Sequence, residues 1–266
     1  MSQIFQPFKP GWLMLVLVVF INSSCSTGKG FNLFSPEQDK ELGLEVKQQI
    51  LSNPQEYPVL PEKGHEELYS YVRGITAKIL NSGQVTYRNE FAWEVYIIDD
   101  DEVLNAFATP GGYIFVYTGL IKFLDAEYEL AGVLGHEIAH ADLRHSTQQM
   151  TKIYGISALA SIVTGKAEPG LLEQIALSLL SLKFSRSNEQ EADMYSVTYL
   201  CPTEYKADGA AAFFIKMEGQ PSPPEFLSTH PSPANRVRDI ENRAKELNCR
   251  GKSENESAYS RIKRSL

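Results

Sequence analysis

Chemistry in this chain is concentrated at His136, Glu137 and His140, within the run His136-Glu137-Ile138-Ala139-His140. On a helix, residues four apart lie one turn up and about 40° round, so both imidazoles reach one metal ion. A metal held by two neutral imidazoles wants a third protein ligand and an open position for water, and Glu137 stands close enough to take that water's proton. Leu130, Val133, Leu134, Ile138 and Ala141 make the apolar stripe of this helix, and Glu137 projects within it. An unpaired carboxylate buried there would cost on the order of several kcal/mol, which a metal site relieves.

His145 has suitable chemistry for the third ligand, but on a continuous helix it lies about 180° from His136. It therefore reads as a cap or a surface residue. The better source is Ser185-Arg186-Ser187-Asn188-Glu189-Gln190-Glu191-Ala192-Asp193. Ser187 and Gln190 fit a capping box, which would start a helix with Glu189 in its first turn. Glu189 and Asp193 share a face, so one carboxylate can bind a metal while the other orients a ligating histidine. Glu191 points the other way and should face solvent.

The elements that must position these groups alternate helical and extended patterns. Ser35-Pro36-Glu37-Gln38 predicts a capped helix start, running to Ser52, and a second helix is expected from Lys63 to Leu80. Phe91, Trp93, Val95 and Ile97 alternate with more polar neighbours and predict a strand ending at Asp99-Asp100-Asp101, a solvated turn. Tyr113 to Tyr117 is a second extended stretch, open to pairing with an added peptide or buried as a central strand. From Ala126 to Leu247 the pattern is helical, with breaks near 165–170, 183–186 and 220–224. The polar residues from Gly251 to Leu266 are expected to fray. Helices, a small sheet, then helices imply a mostly helical α+β fold around one core.

The 266 residues are 43% hydrophobic and 22% charged, a globular profile. A net charge of -8 argues against sequence-independent nucleic-acid binding, which needs a basic surface. Lys9, the apolar run Trp12 to Ile21 and the small residues before Cys25 read as a signal peptide over 1–24. The run is short of the ~20 apolar residues of a spanning helix. Cys25 fits the lipid-bearing residue of a bacterial lipoprotein, although Asn22 stands where such signals usually carry Leu. Export then leaves Cys201 and Cys249 as an even pair, expected to form a disulfide. The expected organisation is a tether over 25–34, one domain over 35–248 and a polar tail over 249–266.

In order, these motifs resemble those of the M48 zinc metallopeptidases. Asn105-Ala106-Phe107-Ala108-Thr109-Pro110-Gly111-Gly112-Tyr113-Ile114 is similar to the family's substrate-binding strand, His136 to His140 to its metal helix, Glu189 to Asp193 to its ExxAD motif, and His230-Pro231 with Arg236 to its HPxxxxR motif. The resemblance implies a zincin-like fold, with a small sheet packed on the HExxH helix. It implies one Zn²⁺ per chain held by His136, His140 and Glu189, with Asp193 and Arg236 supporting these ligands. Glu137 is then the catalytic base, and His230 either stabilises the oxyanion or approaches the zinc in a resting state; the bland alternative is a helix cap. Gly112, Tyr113, Ile114, Phe115 and Val116 are expected to carry substrate backbone. Lipid-tethered relatives imply a periplasmic enzyme acting on unfolded or misassembled envelope proteins, with Ser26 compatible with outer-membrane sorting. A chaperone or assembly factor with latent protease activity is the alternative.

Overall fold

The structure, a computed structural model, describes residues 31–266 apart from 165, 167–169, 219–224 and 232–234. The signal-peptide and Cys25 expectations lie outside the described residues. Helix α1 (Pro36–Ser52) starts at a capping box, Ser35 accepting from the Gln38 N–H while Gln38 accepts from the Ser35 N–H. Leu42, Val46 and Ile50 form its buried stripe. Helix α2 (Glu66–Leu80) starts later than Lys63 because Gly64 takes a left-handed turn, φ 94°.

Strands β1 (Glu94–Ile98), β2 (Ala106–Thr109) and β3 (Tyr113–Tyr117) form one sheet in the order β1-β3-β2, with β3 parallel to β1 and antiparallel to β2. The β2–β3 turn passes through Gly111 and Gly112 at φ 74° and 88°, a backbone that glycine adopts without strain. Every residue of β3 is buried. Ile114 and Val116 join a cluster with α2, whereas Tyr113, Phe115 and Tyr117 join another with α1. The two-residue period of a strand thus divides the apolar residues into two cores, one on each face, where the sequence suggested one.

The remaining helices are α3 (Thr118–Phe123), α4 (Glu127–Asp142), α5 (His145–Val163), α6 (Leu171–Leu180), α7 (Arg186–Leu200), α8 (Gly209–Glu218), α9 (Phe226–Thr229), α10 (Arg236–Glu246) and α11 (Glu256–Lys263). Helix α4 is buried along most of its length and packs on α7, α8, α2 and β2. Small residues permit this: a Cβ at Gly132 would lie 2.1 Å from the Ala210 nitrogen, and one at Gly135 2.7 Å from Ser196 Oγ. The Ser196 hydroxyl donates to the Gly132 carbonyl at 2.8 Å, fixing α7 against α4.

Both ends of the domain differ from expectation. The tether was to reach residue 34, yet Asn32 donates to Thr147 Oγ1 at 2.9 Å, the Leu33 N–H donates to Thr151 Oγ1, and Phe34 is buried. The frayed tail is instead ordered as α11, whose Tyr259 and Ile262 are buried and whose Tyr259 hydroxyl donates to the Ile121 carbonyl. Two apolar residues three apart suffice to dock a short polar helix by one face. A disulfide joins Cys201 to Cys249, tying the end of α7 to the segment after α10. No helix among the described residues is long and apolar enough to cross a membrane.

Candidate metal centre

Helix α4 carries His136, Glu137 and His140, each about 1% exposed. Helix α7 crosses it, and Glu189 in its first turn meets both histidines: Oε2 is 3.5 Å from His136 Nε2 and Oε1 3.4 Å from His140 Nε2. The two histidine Nε2 atoms lie 3.0 Å apart. With His230, one donor atom from each residue lies within 4.8 Å of the others. The α7 cap is formed by Ser185 and Asn188, two residues upstream of the Ser187–Gln190 box expected from the sequence. Glu189 still falls in the first turn, so the face it shares with Asp193 is unchanged.

Asp193 Oδ1 accepts from His136 Nδ1 at 2.9 Å, which directs Nε2 toward the cluster. Arg236 at the start of α10 donates through Nε to Asp193 Oδ2 at 2.7 Å, and through Nη2 to Asp193 Oδ1 at 2.8 Å and Glu189 Oε2 at 3.1 Å. Its guanidinium lies over the Phe214 ring. A buried cation between two buried carboxylates offsets part of their desolvation cost.

His140 is oriented by a residue placed elsewhere by the sequence. Helix α4 stops at Asp142, Arg144 adopts the left-handed φ of 62°, and α5 begins at His145. That break turns His145 inward: it is buried, its Nδ1 is 3.0 Å from His140 Nδ1, and its Nε2 is 3.3 Å from Glu191 Oε2. His145 is therefore not a surface residue, whereas Glu191 stays partly exposed as its position opposite Glu189 predicts, its side chain 35% exposed with Oε2 turned to His145. The Arg144 turn is secured by the buried Asp39, which accepts from Arg144 Nε.

Burial lowers the His136 pKa, but Asp193 and Glu189 outweigh it and push it up to about 9. Burial also raises Glu189, yet His136 and His140 outweigh it and its carboxyl is held well below the carboxylate range. His140 is lowered, chiefly by burial. Glu137 is pushed up to about 8, mainly by burial. His230 is pushed down to about 3 by burial and stacks on Phe226, with ring centres 4.2 Å apart.

The donor set fits a metal ion. Glu189 Oε1, Glu137 Oε1 and His230 Nε2 are buried atoms with no hydrogen-bond partner, and two imidazole nitrogens face each other at 3.0 Å. A divalent cation satisfies Glu189 and both nitrogens together, and a three-ligand site with a base beside it is the pattern of catalytic rather than structural metal sites.

Glu137 also meets the sheet: the Ala108 N–H on β2 donates to Glu137 Oε2 at 3.2 Å. β2 is an edge strand, whereas β3 is paired on both sides. The expectation that Gly112 to Val116 carries a peptide is therefore corrected, because no β3 edge is free to accept one. Sequence reading missed Phe184, stacked on His140 with centres 4.0 Å apart, and Phe226. Neither carries a polar atom or a spacing that would mark it.

A buried His-His-Glu set with a second carboxylate on the HExxH helix defines a metallopeptidase-class site. The profile of peptidase family M48 matches residues 69–244, and the chain belongs to that family. It is 29% identical over 222 residues to the mitochondrial metalloendopeptidase OMA1 of Schizosaccharomyces pombe, covering 81% of this chain and 64% of that protein. It is 32% identical over 170 residues to the beta-barrel assembly-enhancing protease of Escherichia coli K12, covering 57% of this chain and 34% of that protein. To the metalloendopeptidase OMA1 of Bos taurus it is 27% identical over 250 residues, covering 86% and 47%. The chain thus spans less than two thirds of the length of these relatives.

Proposed function

We propose that this protein is a zinc-dependent metalloendopeptidase that cuts unfolded or misassembled polypeptides of the bacterial envelope, tethered by lipid on Cys25 in the periplasm, with the outer membrane favoured. The observation that carries the reading is the buried cluster of His136, His140 and Glu189, with the free oxygen of Glu137 beside it. The kinship with beta-barrel assembly-enhancing proteases and the lipoprotein-like leader support the envelope setting.

His136, His140 and Glu189 would hold the ion, which when bound supplies Lewis acidity at the scissile carbonyl. Glu137 takes a proton from the attacking water and delivers it to the leaving amine nitrogen. Its Oε2 is steadied by the Ala108 N–H, so Oε1 is the atom left to move the proton. An extended substrate would add along the outer edge of β2, held mainly by backbone hydrogen bonds and hence with little demand on sequence. The cleft beside Glu137 supplies the side-chain contacts.

One observation favours the latent variant of this reading. His230 Nδ1 lies 3.2 Å from the Phe226 carbonyl and 2.9 Å from the Thr229 hydroxyl, and Nε2 faces the cluster, 3.6 Å from Glu137 Oε1. With its proton on Nδ1, donated in a hydrogen bond to the Phe226 carbonyl, His230 would serve as a fourth ligand rather than an oxyanion donor. The test is zinc-loaded mature protein on unfolded casein, alongside Glu137→Gln and His230→Ala. Cleavage by wild type and none by Glu137→Gln is expected, with His230→Ala faster if latency holds. Equal and negligible cleavage by wild type and Glu137→Gln, with both suppressing casein aggregation, would replace the protease by a holding chaperone.

A further inference from the structure

The cleft shared by Glu137 and His230 has a volume of about 300 Å³. Its walls include Val46, Phe107 and Leu179, and its charged lining residues besides Glu137 are Glu56, Asp100 and Glu225. Among the described residues, no Lys or Arg lines it. The three acids come from separate places: the turn after α1, the loop after β1 and the residue before α9. They converge on Tyr117, whose hydroxyl is raised first by burial and then by Tyr57, Asp100, Glu225 and Glu56.

Each acid has a local hydrogen bond, but none has an ion-pair partner among the described residues. Glu56 accepts from Asn53 Nδ2 at 2.7 Å, Asp100 from the Glu102 N–H at 3.0 Å, and Glu225 from Ser228 Oγ at 2.8 Å. A fourth acceptor is independent of these charges. Asn105, the residue before β2, lines the same cleft, is only 8% exposed, and its Oδ1 has no hydrogen-bond partner. An amide oxygen accepts and never donates, and a buried one without a partner in the protein can take an N–H from a ligand.

We propose that Asn105, Glu56, Asp100 and Glu225 form a subsite for a cationic side chain, Lys or Arg, flanking the scissile bond of polypeptide substrates. The subsite rests on the peptidase reading and deepens it. A long cationic side chain matches both parts of the cleft: its aliphatic stem lies on apolar walls while its N–H groups meet three carboxylates and the Asn105 amide oxygen. An acidic side chain in the same place would meet three like charges, so selection works by repulsion as well as attraction. Because each carboxylate is partly solvated, its separate effect is small, and the summed preference for Arg over Glu is about tenfold.

The test uses zinc-loaded Glu137→Gln full chain and fluorescent unfolded peptides of one apolar sequence, with Arg or Glu placed at each position in turn. Binding is read by anisotropy, and wild type is run in parallel with the cut sites mapped by mass spectrometry. At one position or more, Arg should bind about tenfold tighter than Glu, and cuts should cluster at that position. Adding Glu56→Gln, Asp100→Asn and Glu225→Gln should bring the ratio below about twofold, with Glu225→Gln alone as the milder variant if the combination fails to fold. Asn105→Ala should weaken the Arg peptide more than its Leu counterpart. Selective binding without cutting keeps the subsite and removes the peptidase. Cutting with no Arg preference at any position, or a preference that persists in the substituted protein, removes the subsite and keeps the peptidase; no binding and no cutting removes both.

Discussion

At the scale of single residues, two carboxylates two positions apart on α7 have different fates. Glu189 is wholly buried against two imidazoles, whereas Glu191 reaches the centre only through His145. Zinc content after dialysis against a weak chelator should therefore fall sharply in Glu189→Gln, by orders of magnitude in affinity, and only slightly in Glu191→Gln. Full zinc retention by Glu189→Gln would remove it from the ligand set. His145→Ala should weaken zinc by about 10- to 100-fold, the range seen when a group supporting a ligating histidine is lost. An unchanged zinc titration would make His145 mere packing. The difference between Glu189 and Glu191 was legible from sequence because angular position on a helix depends only on spacing, and a cap misplaced by two residues does not alter it. His145 was not legible, because the same arithmetic assumed a helix that Arg144 interrupts.

Elements set how closely those residues approach. Glu189 reaches the α4 histidines because α7 lies near enough for Ser196 to hydrogen-bond the Gly132 carbonyl, and α8 crosses α4 at Gly132 and Gly209. An added methyl at Gly132 would meet the backbone of Gly209 and Ala210 at 2.3 Å and 2.1 Å, with no flexible side chain to give way. Gly132→Ala should cost about 1–3 kcal/mol of unfolding free energy, overwhelming the small gain in helix propensity. Urea unfolding checks this, and a neutral or stabilising effect would mean that α8 can shift freely. Helix positions were readable because caps and apolar stripes are local. The four residues of β2 were quoted within a motif but not separated from β3, since only the turn at Gly111 and Gly112 divides them. Which strand keeps an open edge is a property of pairing, and spacing along one strand does not contain it.

The whole molecule is closed around Glu127, a buried carboxylate at the first position of α4. It accepts from the Tyr71 and Tyr205 hydroxyls, from Asn255 Nδ2 at 3.1 Å and from Lys78 Nζ at 3.4 Å, so α2, α4, the segment after α7 and the start of α11 meet on one side chain. In the sequence it is only an acid at a helix start, with partners as many as 128 residues away. The C-terminal segment was read as frayed for a related reason: the partners that hold Asn255, Tyr259 and Ile262 are distant in the chain, and only two of those residues are apolar. Burial raises the Glu127 pKa, but hydrogen bonds from Tyr205, Tyr71 and Asn255, together with Lys78, outweigh it, and the group ends below its ordinary 4.5. A carboxyl with a depressed folded pKa lends stability above its unfolded pKa and loses it as the pH falls through the folded value. Glu127→Gln should thus lower unfolding free energy at pH 7 by about 1.5–3 kcal/mol, through loss of charge-assisted hydrogen bonds. As the medium is acidified from 4.5 down through the lower folded value, wild type becomes protonated in both states and the gap to the variant should close. Urea titrations at neutral pH and at a pH below the folded value of Glu127 measure both gaps. A gap of equal size at the two would mean that shape at position 127, rather than its charge, holds the four segments together.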